Sequence, residues 1–213
     1  METQRRGKVF DYRTLRLLVG LIALLMPFVV TLVSSRPLRS ISDSYYTEAR
    51  DLFVGMLFVV GTFLLAYNGH TSTQAVLSRL AGFAAITAAL SPTACHLCSM
   101  NAAAVIHYVA ATVLLGILAW FCLVPFQTKL KREKGKKRLR SVIYYTCGGM
   151  MVVCLLTALV ARFTMSTQAV YKLRIIYWAE ATSLVAFGVA WFVAAKWLRP
   201  FTDEKDRLRL FTR

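Results

Sequence analysis

Two ionisable side chains, His107 and Glu180, stand inside long apolar runs, where a charged group is costly and needs either a partner or a function. His107 lies six residues after Asn101 and Glu180 six residues after Arg174. At about 1.5 Å per residue, each sits roughly 9 Å below the same membrane boundary. The shared depth makes a His107 to Glu180 contact geometrically possible, and Arg50 and Asp51 could join it from above. Such a pair could fix the helix arrangement, exchange protons or hold a ligand. With Asp51 as a third ligand, or His96 as a substitute, it could also hold zinc. No compact ligand pattern such as H-E-x-x-H accompanies it, so the expectation is no metal and no other cofactor.

The segment Ile41-Ser42-Asp43-Ser44-Tyr45-Tyr46-Thr47-Glu48-Ala49-Arg50-Asp51 gathers hydroxyls, carboxylates and rings just before an apolar run. One reading is an interfacial belt with a helix N-cap. The other is a site for a lipid headgroup or another polar ligand, built from Ser42, Asp43, Tyr46, Arg50 and Asp51 with His107 and Glu180. Cys95-His96-Leu97-Cys98 has C-x-x-C spacing but lacks the strand and helix that a thioredoxin-like redox motif needs. In an oxidising compartment a local Cys95 to Cys98 disulfide is expected, strained by the short loop; a metal site with His96 is the alternative. Cys122, Cys147 and Cys154 fall within apolar runs and read as small packing residues. His70 lies at the opposite end of a span from His107, so the two cannot clasp one haem, and three histidines at mismatched depths argue against a multi-haem cytochrome. Neither a Gly-rich phosphate loop nor a G-x-S-x-G elbow occurs.

The elements that must position these groups are apolar runs near 15–33, 52–67, 75–90, 102–126, 142–161 and 175–197, each near the roughly 20 residues that cross a bilayer as a helix. The third is short and contains Arg79, and a re-entrant segment is its alternative. Its alanines and Gly82 suit a helix buried among other helices. Pro27 in the first run could kink it, which neighbouring helices can accommodate. That run should remain as an anchor, because it is longer than a signal peptide's apolar core and Val33-Ser34-Ser35-Arg36-Pro37 is a poor cleavage site.

Lys and Arg set the orientation. The N-terminal segment carries Arg5, Arg6, Lys8 and Arg13, the fourth connection carries eight basic residues from Lys129 to Arg140, and the C-terminal segment adds Arg199, Lys205, Arg207, Arg209 and Arg213. The alternate connections hold fewer: Arg36, Arg39 and Arg50, then none, then Arg162, Lys172 and Arg174. Both termini are therefore expected in the cytoplasm, with Lys129 to Arg140 facing the anionic leaflet.

Composition agrees. Of 213 residues, 57% are hydrophobic and 17% charged, and mean hydropathy is +0.56, too apolar for a single water-soluble domain. Six spans use up the length, leaving no room for a soluble catalytic domain. The excess of 26 Lys and Arg over 10 Asp and Glu, a net charge of +16, would suggest nucleic acid in a soluble protein. Here the charges cluster between apolar runs, and no nucleic-acid partner is expected.

The order of features resembles the DRAM-like group of six-span membrane proteins, the damage-regulated autophagy modulators and their bacterial relatives. The matching residues are Ile41-Ser42-Asp43, Phe53-Val54-Gly55, Leu80-Ala81-Gly82, His107 with Ala110, Ala179-Glu180 and Phe187-Gly188. Tyr45-Tyr46, Arg50-Asp51, Tyr177-Trp178-Ala179-Glu180 and the basic fourth connection look closer to the bacterial members. Cys95 and Cys98 depart from the eukaryotic pattern. The resemblance implies a six-helix membrane fold, a bacterial inner membrane and a link to lipid handling more than any reaction.

The expectation is thus an all-α integral membrane bundle of six helices, one domain, with an outer polar pocket for a lipid. A membrane-embedded hydrolase or transferase acting on a lipid headgroup, with His107 as base and Glu180 or Asp51 orienting it, and a small proton-coupled transporter are the alternatives.

Overall fold

The computed structural model describes residues 12–67, 69, 71–94, 100–126 and 137–197. Among these the chain is helical and contains no strand. The elements are α1 (Tyr12–Val33), a 3-10 turn (Ser42–Tyr46), α2 (Arg50–Ala66), α3 (Ser72–Leu90), α4 (Ala102–Leu123), α5 (Lys137–Thr164), α6 (Thr167–Lys172) and α7 (Ile175–Ala194). Polar side chains cap the starts of α3, α4 and α6, because the first amides of a helix lack internal acceptors. Thr71 Oγ1 accepts from Gln74 N at 3.2 Å, Asn101 Oδ1 from Ala104 N at 2.8 Å and Ser166 Oγ from Ala169 N at 3.2 Å. Pro27 stays inside α1.

Five helices, α1, α3, α4, α5 and α7, are long and apolar enough to cross a membrane. α2 has 17 residues, about 26 Å of helix at 1.5 Å per residue. The third apolar run forms one continuous helix of 19 residues. α5 extends well beyond the expected 142–161, so Arg138 and Arg140 lie on a helix rather than in a loop. Arg140 is only 2% exposed, where lipid-facing exposure was expected. Lys129 to Lys136, Cys95, His96, Cys98 and His70 lie outside the described residues.

The six long helices close a ring. Each packs on its chain neighbour, α5 packs on α7, and α7 returns to α1. Two crossings have backbone-to-backbone contact. A Cβ on Gly188 would meet Leu24 N at 2.7 Å and Gly20 O at 2.8 Å, and one on Gly82 would meet Gly61 O at 2.7 Å. Such small residues let membrane helices approach closely where no hydrophobic force drives them together. α3 lines its contacts with Ala81, Ala84, Ala85, Ala88 and Ala89, all buried. Large apolar side chains instead cover the outer faces, for example Phe83, Val153, Leu156 and Phe163, as a bilayer-facing surface requires.

The ring has two unlike ends. At one, which we call the loop end, lie residues 34–49, 91–94, 100–101 and 165–174, next to the helix ends. At the other, the basic end, Tyr67, Phe121, Phe126, Tyr144 and Trp191 form a chain of ring contacts with centroids 5.0–6.2 Å apart.

Candidate functional site

The loop end is organised around α7. Arg174 starts that helix in the left-handed region, φ 51°, which costs a non-glycine residue roughly 1–2 kcal/mol. The turn aims its Nε at Leu38 O, 2.7 Å away, and sets its guanidinium 4.0 Å over the Tyr177 ring. One turn on, Tyr177 N donates to Arg39 O at 3.0 Å and the Tyr177 hydroxyl meets Thr31 Oγ1 at 2.9 Å. Glu180 Oε2 then accepts from Ile41 N at 2.6 Å and Ser42 N at 3.3 Å. These are the amides at the start of the 3-10 turn, whose cap residue Ile41 makes no side-chain cap of its own. Glu180 therefore caps a turn that lies 139 residues earlier in the chain.

The rest of the 41–51 segment is bonded to the neighbouring loops. Asp43 takes a bidentate pair from Arg36 at 2.9 and 3.0 Å and the Arg39 amide at 3.2 Å. Ser44 Oγ donates to Ile41 O. Tyr46 donates to Thr93 O at 2.6 Å, and Thr93 Oγ1 donates to the Tyr108 hydroxyl, tying this segment to the α3–α4 connection. Burial, then the neighbouring Tyr45, Tyr108 and Asp43, push the Tyr46 phenol above its ordinary value. Glu48 is held below the usual carboxylate range by its own amide and then by the Ser35 amide and hydroxyl.

His107 does not meet Glu180. Its Nδ1 lies 2.9 Å from Ala88 O and 2.8 Å from Ser91 O. A carbonyl only accepts, so Nδ1 carries the hydrogen in this arrangement. His107 thereby satisfies the end of α3 while its Nε2 has no partner. The expected His107 to Glu180 contact is replaced by two separate bonds to backbone, because both helices present these side chains to chain ends that carry unsatisfied groups. No ion pair joins them, and the described ion pair at this end is Arg36 to Asp43.

The other expected site residues divide accordingly. Glu180 meets the Ser42 amide, Asp43 holds Arg36 and the Arg39 amide, and Tyr46 turns instead to Thr93 O. Arg50 and Asp51 are exposed at the start of α2, with Arg50 stacked on Tyr45, Cζ to centroid 4.6 Å. The zinc set His107, Glu180 and Asp51 is not assembled, and among the described residues no three His, Cys, Asp or Glu side chains gather as metal ligands. The acid–base pair that the hydrolase reading required is likewise not formed. Cys122 and Cys147 are buried free thiols in the helix core.

A cavity of about 580 Å³ opens beside this network, lined by Arg39, Thr167, Gln168, Tyr171 and Lys172. Arg39 Cζ sits 5.1 Å over the Tyr171 ring, and one of its nitrogens, Nη1, is buried without a hydrogen-bond partner, as is Arg174 Nη2. These residues were read from the sequence only as charges on the less basic side. α6 is six residues long and falls in a polar stretch between apolar runs, so no periodicity marks it. In comparisons with known proteins no family model, no curated protein and no solved structure matches this chain, and the DRAM-like resemblance rests on its motif residues alone.

Proposed function

We propose that the protein is a six-span membrane bundle, with α2 as the sixth span and both termini in the cytoplasm, that binds an anionic lipid headgroup at its outer face. A span of 17 residues is the lower limit for crossing a bilayer. α2 buries Phe53, Leu57, Val60 and Leu64 in the same core as the longer helices, which supports its inclusion. The resemblance to bacterial DRAM-like proteins makes a bacterial inner membrane the natural location. Orientation is tested with single-site tags in the full chain. A tag at Lys136 and one at the C-terminus should report cytoplasm, and one near Ser99 the outside; Lys136 and Ser99 on the same side would end the six-span reading.

One observation carries the headgroup reading: the cavity lined by Arg39 and Lys172 at the boundary where α7 begins. Its volume falls within the range of small-ligand sites. Arg and Lys beside hydroxyl and amide groups match a phosphate, and apolar helix faces next to it can take acyl chains. Asp43 Oδ2 accepts from the Arg39 amide and Tyr177 N donates to the Arg39 carbonyl, while Glu180 holds the next residues, Ile41 and Ser42, so those residues act as support for the cavity. In this reading the substitutions Arg39→Ala and Lys172→Ala together should lower phosphatidylglycerol retention from outside-facing vesicles at least severalfold, with phosphatidylcholine retention unchanged. Equal retention by the double variant would remove the cavity as the site.

A further inference from the structure

The basic end holds a second group of polar atoms with no described role. Arg16, in the second turn of α1, is 5% exposed. Its guanidinium donates to the Tyr67 hydroxyl and lies 5.2 Å from the Tyr67 ring centroid and 5.8 Å from that of Phe126. Its Nε has no partner. Trp191, 1% exposed, packs against the same two rings at 5.6 and 6.1 Å, and its Nε1 also lacks a partner. Two buried donors thus flank one pair of aromatic rings.

More positive charge surrounds them. Arg140, 2% exposed, is one turn before Tyr144, whose ring lies 5.0 Å from Phe126. Lys196, 7% exposed, follows Ala195, which packs with Leu17 beside Arg16. The described acids, Asp43, Glu48, Asp51 and Glu180, all belong to the loop-end segments or the adjoining turns of α2 and α7. Arg16 therefore meets a neutral phenol and ring faces where a buried guanidinium calls for an anion. Every unfilled atom here is a donor, which selects an acceptor-only ligand.

We infer that this end binds the phosphate of an anionic lipid from the cytoplasmic leaflet, gripped by Arg16 and Trp191. Basic pockets between helix ends on the cytoplasmic side, next to the anionic leaflet, are suited to such headgroups, and aromatic residues favour that depth. The inference rests on membrane insertion with this end inward and is independent of the Arg39 cavity, which lies at the opposite end.

The test uses the full chain, delipidated in neutral detergent and titrated with phosphatidylglycerol, phosphatidylcholine or inorganic phosphate while the melting temperature is followed. Phosphatidylglycerol should raise it and phosphatidylcholine should not. Arg16→Gln should weaken the phosphatidylglycerol response at least tenfold in half-saturating concentration. Trp191→Phe, which removes the donor and keeps a smaller aromatic ring in its place, should weaken it severalfold and keeps the test valid if Arg16→Gln fails to fold. Arg39→Ala with Lys172→Ala should leave the Arg16-dependent response intact. Equal responses to both lipids, or an unchanged response in Trp191→Phe, would overturn the inference. An equal rise with inorganic phosphate would overturn the lipid as source. A response seen only when Asp203, Glu204 and Asp206 are changed to Asn, Gln and Asn would assign the site to the chain's own carboxylates and overturn it too.

Discussion

Glu180→Leu should destabilise the protein by about 2 to 6 kcal/mol, because it strands two amides, Ile41 N and Ser42 N, at about 1 to 3 kcal/mol for each buried donor left without an acceptor. Glu180→Gln keeps a carbonyl oxygen at the same place and should cost much less. His107→Leu should cost about 1 to 3 kcal/mol through the bonds lost at Ala88 O and Ser91 O. The two sites share no partner, so the double substitution should be additive to within about 0.5 kcal/mol. Reversible unfolding in mixed micelles measures all four proteins. A coupling above about 1 kcal/mol would show that the two side chains meet after all and would restore the buried pair as the centre of the loop end.

Gly188→Val should be the most damaging single change in the helix packing. The added Cβ alone would lie 2.7 Å from Leu24 N and 2.8 Å from Gly20 O. Both are backbone atoms, so α1 and α7 must separate instead of a side chain turning away. Overpacking of this kind costs about 1 to 3 kcal/mol for a small addition and more for a branched one. Gly149→Ala should do the opposite. Its Cβ meets nothing within 4 Å, and replacing a helical glycine by alanine adds about 0.5 to 1 kcal/mol. Melting temperatures of the two variants in one detergent should therefore move in opposite directions. A tolerated Gly188→Val would mean that the α1–α7 crossing is looser than the backbone contact implies.

The contrast between those glycines shows what sequence can and cannot carry. Gly148 and Gly149 are adjacent, yet a Cβ on the first would press on Leu123 at 2.7 Å while the second faces open space. One residue step turns a helix position by about 100°, and only the packed neighbours decide which step is inside. The same holds for the cysteines, all three read as packing residues, of which Cys122 and Cys147 are buried and Cys154 only partly so, and for Arg140, whose charge suggested a lipid-facing loop but whose helix places it inside.

The sequence by itself located the long helices. Apolar run length against bilayer thickness is a local property, so the starts and ends of α1, α3, α4 and α7 agree with the expected runs to within about three residues. It also pointed to the segment after Ile41 and to Glu180, which meet through the Ile41 and Ser42 amides. Only the tertiary structure decided whom each group meets. Glu180 caps Ile41 and Ser42, His107 closes the end of α3, and Arg39 reaches a cavity formed with α6. The reason is that a buried polar group must find whichever backbone amide or carbonyl the packing leaves without a partner. Those vacancies arise at chain ends brought together across 139 residues for Glu180 and Ile41 and across 16 to 19 for His107, and they exist only once the helices have been rotated and closed into a ring.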